Sequence, residues 1–79
     1  MERIEIANRV EKIVINVLKH QKFEMRNELR ASDVEGWDSL TNMMIVNDIE
    51  NDFGVNFKLK ELNRLTNMGS LIELIHSKL

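Results

Sequence analysis

The sequence predicts an all-α fold, and three features carry that prediction. Proline is absent and only three glycines occur in 79 residues, so few positions interrupt a helix. Three stretches repeat apolar residues at helical spacing. Hydrophobic residues make up 43 % of the chain, enough for a core, while 30 % are charged and suit a solvated surface.

The first helix is expected from about Glu2 to His20. Ile6, Val10, Ile13 and Val17 fall on one face, with Val14 beside them. Glu2, Arg3, Glu5, Asn8, Arg9, Glu11 and Lys12 fill most of the rest. A long connection follows, roughly Gln21 to Trp37, with scattered apolar residues and no sustained period. Phe23, Met25, Leu29, Val34 and Trp37 are read as pins that hold an ordered loop on the bundle, with a short helical turn near Met25–Leu29. Loops this long in small domains are often functional. The second helix should start at Asp38 or Ser39 and run to about Phe53, between Gly36 as a turn residue and Gly54 as a stop. Leu59 to Leu65 is a candidate for one more short helix. The last helix is expected from about Asn67 to Lys78, with Thr66 as N-cap and Met68, Leu71, Ile72, Ile75 and Leu79 as its buried stripe.

The length fits a single domain spanning residues 1–79. No cysteine is present, which excludes disulfides, thiolate metal sites and a cysteine nucleophile. Two histidines, His20 and His76, lie far apart in sequence and are read as solvent-facing helix ends; a zinc site needs three or four clustered ligands, so no metal is expected. A net charge of −2 without a basic stripe argues against nucleic acid, and acidic residues are better suited to steering a basic protein partner. The longest apolar run, Met43 to Val46, is far too short for a membrane span, and the first residues show no signal-peptide pattern. The expected location is the cytoplasm, and a monomer is the default state.

The second helix carries two apolar faces. At about 100° per residue, Ile45, Val46, Ile49 and Phe53 cluster on a core side, while Leu40 and Met44 land opposite with Met43 between. Asn47 and Asn51 continue that outer side, flanked by Asp48, Glu50 and Asp52. Either the outer patch is exposed and awaits a partner, which methionine suits, or the long loop folds over it. Periodicity does not choose between the two.

Ser39 adjoins the start of this helix. Asp38 can cap it, and the free N–H groups and positive dipole end favour a negative group such as a phosphodiester on Ser39. A serine there is more commonly just a cap. No base adjoins it in the sequence, as a nucleophilic serine requires, and nothing resembles a nucleophile elbow. Ser39 is therefore read as an acceptor of modification by another enzyme, and the chain as non-catalytic.

Gly36-Trp37-Asp38-Ser39-Leu40 resembles the modification motif of acyl and peptidyl carrier proteins, whose core is Asp-Ser-Leu. Ile45-Val46, Ile49-Glu50 and Asp52-Phe53-Gly54-Val55 resemble that family's second helix and its exit, and the spacing to Thr66 and the last helix is similar. The likeness covers essentially the whole chain, most densely Gly36 to Ile75. It implies a four-helix bundle of acyl-carrier type, with a short third helix within Leu59–Leu65 and a long loop between helices one and two. It implies that a phosphopantetheinyl transferase attaches 4′-phosphopantetheine from coenzyme A to Ser39, with Asp38 as the motif's acidic residue. The arm's thiol would carry acyl or aminoacyl groups as thioesters for fatty-acid, polyketide or related specialised biosynthesis, in exchange with acyl-loading and acyl-processing enzymes. Leu40, Met43, Asn47 and Glu50 match partner-facing positions, and Met44 joins them in the outer patch. Two positions depart from the family pattern: Met44 stands where glutamate is frequent, and Asn47 where an apolar residue is frequent. The chain is also less acidic than carriers of housekeeping fatty-acid synthesis, so its wording is closer to stand-alone carriers of specialised pathways. Two other readings remain beside this one. An unmodified interaction module would use the Leu40/Met43/Met44 patch, and a small DNA-binding helical domain is permitted by length but disfavoured by charge.

Overall fold

A computed structural model describes Met1–Leu79. Four α-helices follow in order, α1 Arg3–Leu18, α2 Ser39–Phe53, α3 Leu59–Leu62 and α4 Met68–Lys78, with a 3₁₀ turn at Ala31–Asp33 and no strand. The fold is thus the all-α bundle the sequence predicts, with a short third helix and a long loop after the first.

α1 packs against both α2 and α4. Its buried line is Ile6, Val10 and Val14, all 0 % exposed. Ile13 and Val17, expected on the central stripe, lie at its half-buried edges. The shift follows from geometry: an i, i+4, i+8 line stays within about 40° per step on a 3.6-residue helix, and it is centred between the two partner helices. α2 contributes Ile45, Ile49 and Phe53, and α4 contributes Met68, Leu71, Ile72 and Ile75. The core holds thirteen buried residues, and every one is apolar.

Two sequence expectations for α4 are corrected. Its N-cap is Asn67, not Thr66: Asn67 Oδ1 accepts the Ser70 N–H at 2.9 Å while Ser70 Oγ accepts the Asn67 N–H at 3.0 Å. Leu79 is not in the buried stripe but 53 % exposed, because α4 ends at Lys78.

The long loop is anchored by Leu29 and Val34, both buried, with Phe23, Met25 and Trp37 half-buried against the core. The expected turn near Met25–Leu29 is a single turn closed by the Leu29 N–H on Arg26 C=O at 3.1 Å; the 3₁₀ turn comes later. Two loop carbonyls also cap α4. Met68 N–H donates to Leu29 C=O at 2.7 Å, and Gly69 N–H to Asn27 C=O at 2.9 Å. With the Asn67 side chain and carbonyl taking Ser70 and Leu71, the first four N–H groups of α4 are all satisfied inside the protein. His20 does not project freely as expected. Its Nε2–H donates to Glu35 C=O at 2.6 Å and its Nδ1 accepts the Lys22 N–H at 3.0 Å, so the ring ties the two ends of the loop.

α3 is fastened to the end of α4 by Lys78 Nζ on Glu61 at 3.0 Å. Arg3 pairs with Glu73 across α1 and α4. No helix is long and apolar enough to cross a membrane.

Candidate functional site

The site is built on the entry to α2. Gly36 sits at φ +85°, a conformation glycine takes without strain, and it turns the loop into the helix. Asp38 then adopts an extended backbone and caps: its Oδ1 accepts the Thr41 N–H at 3.0 Å. Thr41 returns the contact, its Oγ1 accepting the Asp38 N–H at 2.9 Å and donating to Gly36 C=O at 2.7 Å. The Thr41 N–H, with smaller help from the Thr41 hydroxyl and the Leu40 N–H, holds the Asp38 carboxyl below the ordinary aspartate range. The cap is therefore ionised near neutrality, and its carboxylate is committed to the helix.

Ser39 is the first residue of α2 and is exposed. Its hydroxyl makes no hydrogen bond within the protein, as is also true of Ser32 and Thr66, whereas the hydroxyls of Thr41, Ser70 and Ser77 do. The contrast with α4 is physical. There the long loop covers the helix start with carbonyl oxygens; at α2 no carbonyl meets the Ser39 or Leu40 N–H. The positive end of α2 is left open beside a free hydroxyl.

The outer face of α2 is exposed. Leu40 and Met43 are each 70 % exposed and Met44 48 %, so the loop does not fold over this patch. Asn47 is exposed on the same side. Glu50 is placed differently: it is half-buried, and its Oε2 accepts the Phe57 N–H at 2.8 Å, fastening the exit of α2. Val46, read as core, is half-buried. Asp52 is paired with Arg9 at 2.9 Å, and the same guanidinium lies 4.5 Å over the Phe53 ring.

Beside Ser39 a groove of about 470 Å³ runs between α2, α3 and the start of α4. Ser39, Asp38 and Trp37 stand at one side; Ile45, Leu62 and Leu71 are among the apolar residues that line it. Three residues of this site were not singled out from sequence for their roles. Thr41 and Asn42 carry no expectation, and Trp37 is expected as a loop pin and as part of the Gly36–Leu40 motif. The Asp38-x-x-Thr41 spacing was a readable capping signal. Asn42 lies three residues after Ser39, hence on the same helix face. That Trp37 binds it required the fold: Trp37 Nε1–H donates to Asn42 Oδ1 at 3.0 Å. No group of three or more His, Asp or Glu residues is placed to hold a metal ion.

The bundle thus presents an exposed serine at the start of α2, next to a largely apolar groove. No protein-family model matches the chain. Over 77 residues, however, it is 30 % identical to the acyl carrier protein of Thermotoga maritima, an alignment that takes in 98 % of this chain and 95 % of that protein. The chain belongs to the acyl carrier protein family.

Proposed function

We propose that this chain is a non-catalytic carrier domain whose Ser39 hydroxyl bears 4′-phosphopantetheine, attached by a phosphopantetheinyl transferase from coenzyme A. The observation that carries the reading is the free Ser39 hydroxyl at the open start of α2. In the attachment, Ser39 Oγ forms a new bond to phosphorus and gives up its proton, the pyrophosphate bond of coenzyme A breaks, and adenosine 3′,5′-bisphosphate leaves. The structure suits the product: a phosphodiester on Ser39 adjoins the unpaired Ser39 N–H and the positive end of the α2 dipole, while Asp38 holds the helix start in place. When bound, the arm supplies a terminal thiol, which this cysteine-free chain lacks, to hold acyl or aminoacyl groups as thioesters.

Leu40, Met43 and Met44 are the contact residues for partners, with Asn47 beside them, since an exposed apolar cluster on one helix face is the usual mark of protein contact. Glu50 contributes from the edge, where one of its oxygens is already engaged. The partners are the transferase and the enzymes that load and process acyl groups in fatty-acid, polyketide or a related specialised biosynthesis, and the setting is the cytoplasm.

The test is intact mass before and after incubation with coenzyme A, magnesium and a broad-specificity phosphopantetheinyl transferase. The parent chain should gain one phosphopantetheine and Ser39→Ala none. An equal gain in both would move the attachment elsewhere. No gain in either, with several active transferases, would favour an unmodified module that uses the Leu40/Met43/Met44 patch alone.

A further inference from the structure

All sulfur in this chain is thioether: there are five methionines and no cysteine. The fold sorts the five by access. Met68 is buried in the core, and Met25 is half-buried where the long loop meets the bundle. Met1 is exposed at the start of the chain, and its sulfur accepts from the Arg9 guanidinium at 3.7 Å. Met43 and Met44 are the two most exposed of the five, and their sulfurs accept no hydrogen bond. Leu40 precedes them by three and four residues, so the three side chains are neighbours on one helix surface. The two most accessible thioethers are therefore adjacent, and both stand in the patch that docking uses.

We propose that Met43 and Met44 form a reversible oxidation site that turns this docking face off, with a peroxide as the oxidant. The inference rests on the reading of the patch as the partner contact. In the forward step a lone pair of the thioether sulfur takes one oxygen of hydrogen peroxide, the O–O bond breaks, and the other oxygen leaves as water. The sulfur is oxidised by two electrons to the sulfoxide, and the peroxide is reduced by two. A methionine sulfoxide reductase reverses the step. A dithiol then gives two electrons and two protons, the sulfoxide oxygen leaves as water, and the dithiol closes to a disulfide. The sulfoxide oxygen is a strong acceptor, and a partner surface shaped for apolar side chains offers it no donor. Burying it there unpaired weakens docking. The fold is spared, because both side chains lie outside the core. Before the arm is attached, the methionines are the only sulfurs in the chain. Afterwards the arm's thiol is the more reactive group and takes the oxidant first. The switch therefore acts on the chain that awaits modification.

The test treats the chain without its arm with hydrogen peroxide, removes the excess with catalase, and then measures the initial rate of phosphopantetheine attachment by intact mass. Peptide mapping locates each added oxygen. Every chain is compared with its own untreated sample. Sulfoxide should form first at Met43, then at Met44, with Met68 spared. The attachment rate should fall about five- to tenfold, a loss of the size an unpaired polar group causes in a dry contact. Tm should scarcely move. Methionine sulfoxide reductases for both sulfoxide epimers, supplied with dithiothreitol, should restore the rate. A chain with Met43→Leu and Met44→Leu keeps Met1, Met25 and Met68, and whatever its own starting rate, peroxide should not lower it. Overturning results are sulfoxide at Met43 and Met44 with an unchanged rate, oxidation that begins at Met25 or Met68, or a double variant that loses as much rate as the parent. The untreated parent keeps the two readings apart. If it gains no arm, the attachment to Ser39 and the switch fall together; if it gains the arm, and gains it equally fast after oxidation, the switch falls alone.

Discussion

Gly69→Ala tests whether the long loop is held against the start of α4 by a close approach at this glycine. Gly69 is the second residue of α4, at a helical φ, so alanine is welcome on local grounds: reduced freedom in the unfolded chain and better helix propensity favour it by up to about 1 kcal/mol. Packing opposes it. A Cβ at Gly69 would stand 3.1 Å from Asn27 Cβ, 3.3 Å from Asn27 O and 3.4 Å from Asn27 Cγ. The obstacle includes backbone, and that backbone cannot retreat alone. Asn27 C=O accepts the Gly69 N–H at 2.9 Å, and two residues on the buried Leu29 accepts the Met68 N–H at 2.7 Å. Weakening two such hydrogen bonds costs about 0.5–1.5 kcal/mol each. The balance is a net loss of about 1–2 kcal/mol, or roughly 5–15 °C in Tm for a domain of this size. Thermal and urea melts of both chains measure it, with amide exchange at positions 68 and 69 as the local readout. The variant should melt lower and exchange faster at both amides. A variant that is more stable than the parent, with those amides still protected, would refute the claim that the loop is fixed against α4 by this close approach.

The corrected α4 stripe gives a paired test by thermal melting: Ile75→Ala should cost about 2–5 kcal/mol because Ile75 is 0 % exposed, whereas Leu79→Ser should change stability by no more than about 0.5 kcal/mol. Asp38, Glu61 and Glu73 are each held below their ordinary values, Asp38 mainly by the Thr41 N–H, Glu61 mainly by the Lys58 N–H and Glu73 mainly by Arg3. A carboxyl whose folded pKa is depressed stabilises the fold above its unfolded value and loses that contribution as pH falls through the folded value. Tm should therefore be flat above about pH 5 and decline below the ordinary values of 3.8 for Asp38 and 4.5 for the two glutamates, and a Tm that rose on acidification would contradict it. Met44→Glu should leave Tm nearly unchanged, since Met44 is half exposed, but slow modification of Ser39 by the transferase roughly fivefold, measured as initial rate by mass. Raising salt from about 0.05 to 0.3 M should change that rate less than the Met44 substitution does, because little free charge borders the patch.

How much of this was legible from sequence depends on the range of the forces involved. The span Ser39–Phe53 was readable to within about a residue because both of its ends are set by neighbours: Asp38 caps within three positions, and Gly54 takes φ +68° immediately after. The cap of α4 was misplaced by one residue because Thr66 and Asn67 are both capable caps. The choice fell to Asn67 through Ser70 and through loop carbonyls about forty positions earlier, which no local pattern contains. Leu79 fits the helical period, yet lies past the end of α4 and is 53 % exposed. Ser39 was recognisable from its motif, and so was the outer patch from helical phase; that the patch is bare depended on where a loop without period comes to rest. The groove depended on α3 and α4 meeting α2, and the direction of the Asn42 carboxamide depended on a tryptophan five residues earlier.

The charges around α2 also change meaning once the structure is known. From sequence, Asp38 is expected as a cap, and Asp48, Glu50 and Asp52 flank the outer side of the helix as its only other acids. In the fold three of the four have internal work: Asp38 caps, Glu50 receives the Phe57 N–H, and Asp52 is neutralised by Arg9. Asp48 alone is without such a partner, half-buried at the edge of the outer face. The next segment adds exposed cations rather than anions, at Lys58, Lys60 and Arg64, while Glu61 is taken up by Lys78. Exposed pairs formed across such a surface contribute little and are screened by salt. What remains for a partner to recognise near Ser39 is the shape and apolar area of Leu40, Met43 and Met44. Recognition that rests on apolar contact tolerates salt and suits adaptable methionines. With Met44 exposed on the outer face and three of the four nearby acids engaged inside the fold, docking by contact rather than steering by charge is what we propose for this face.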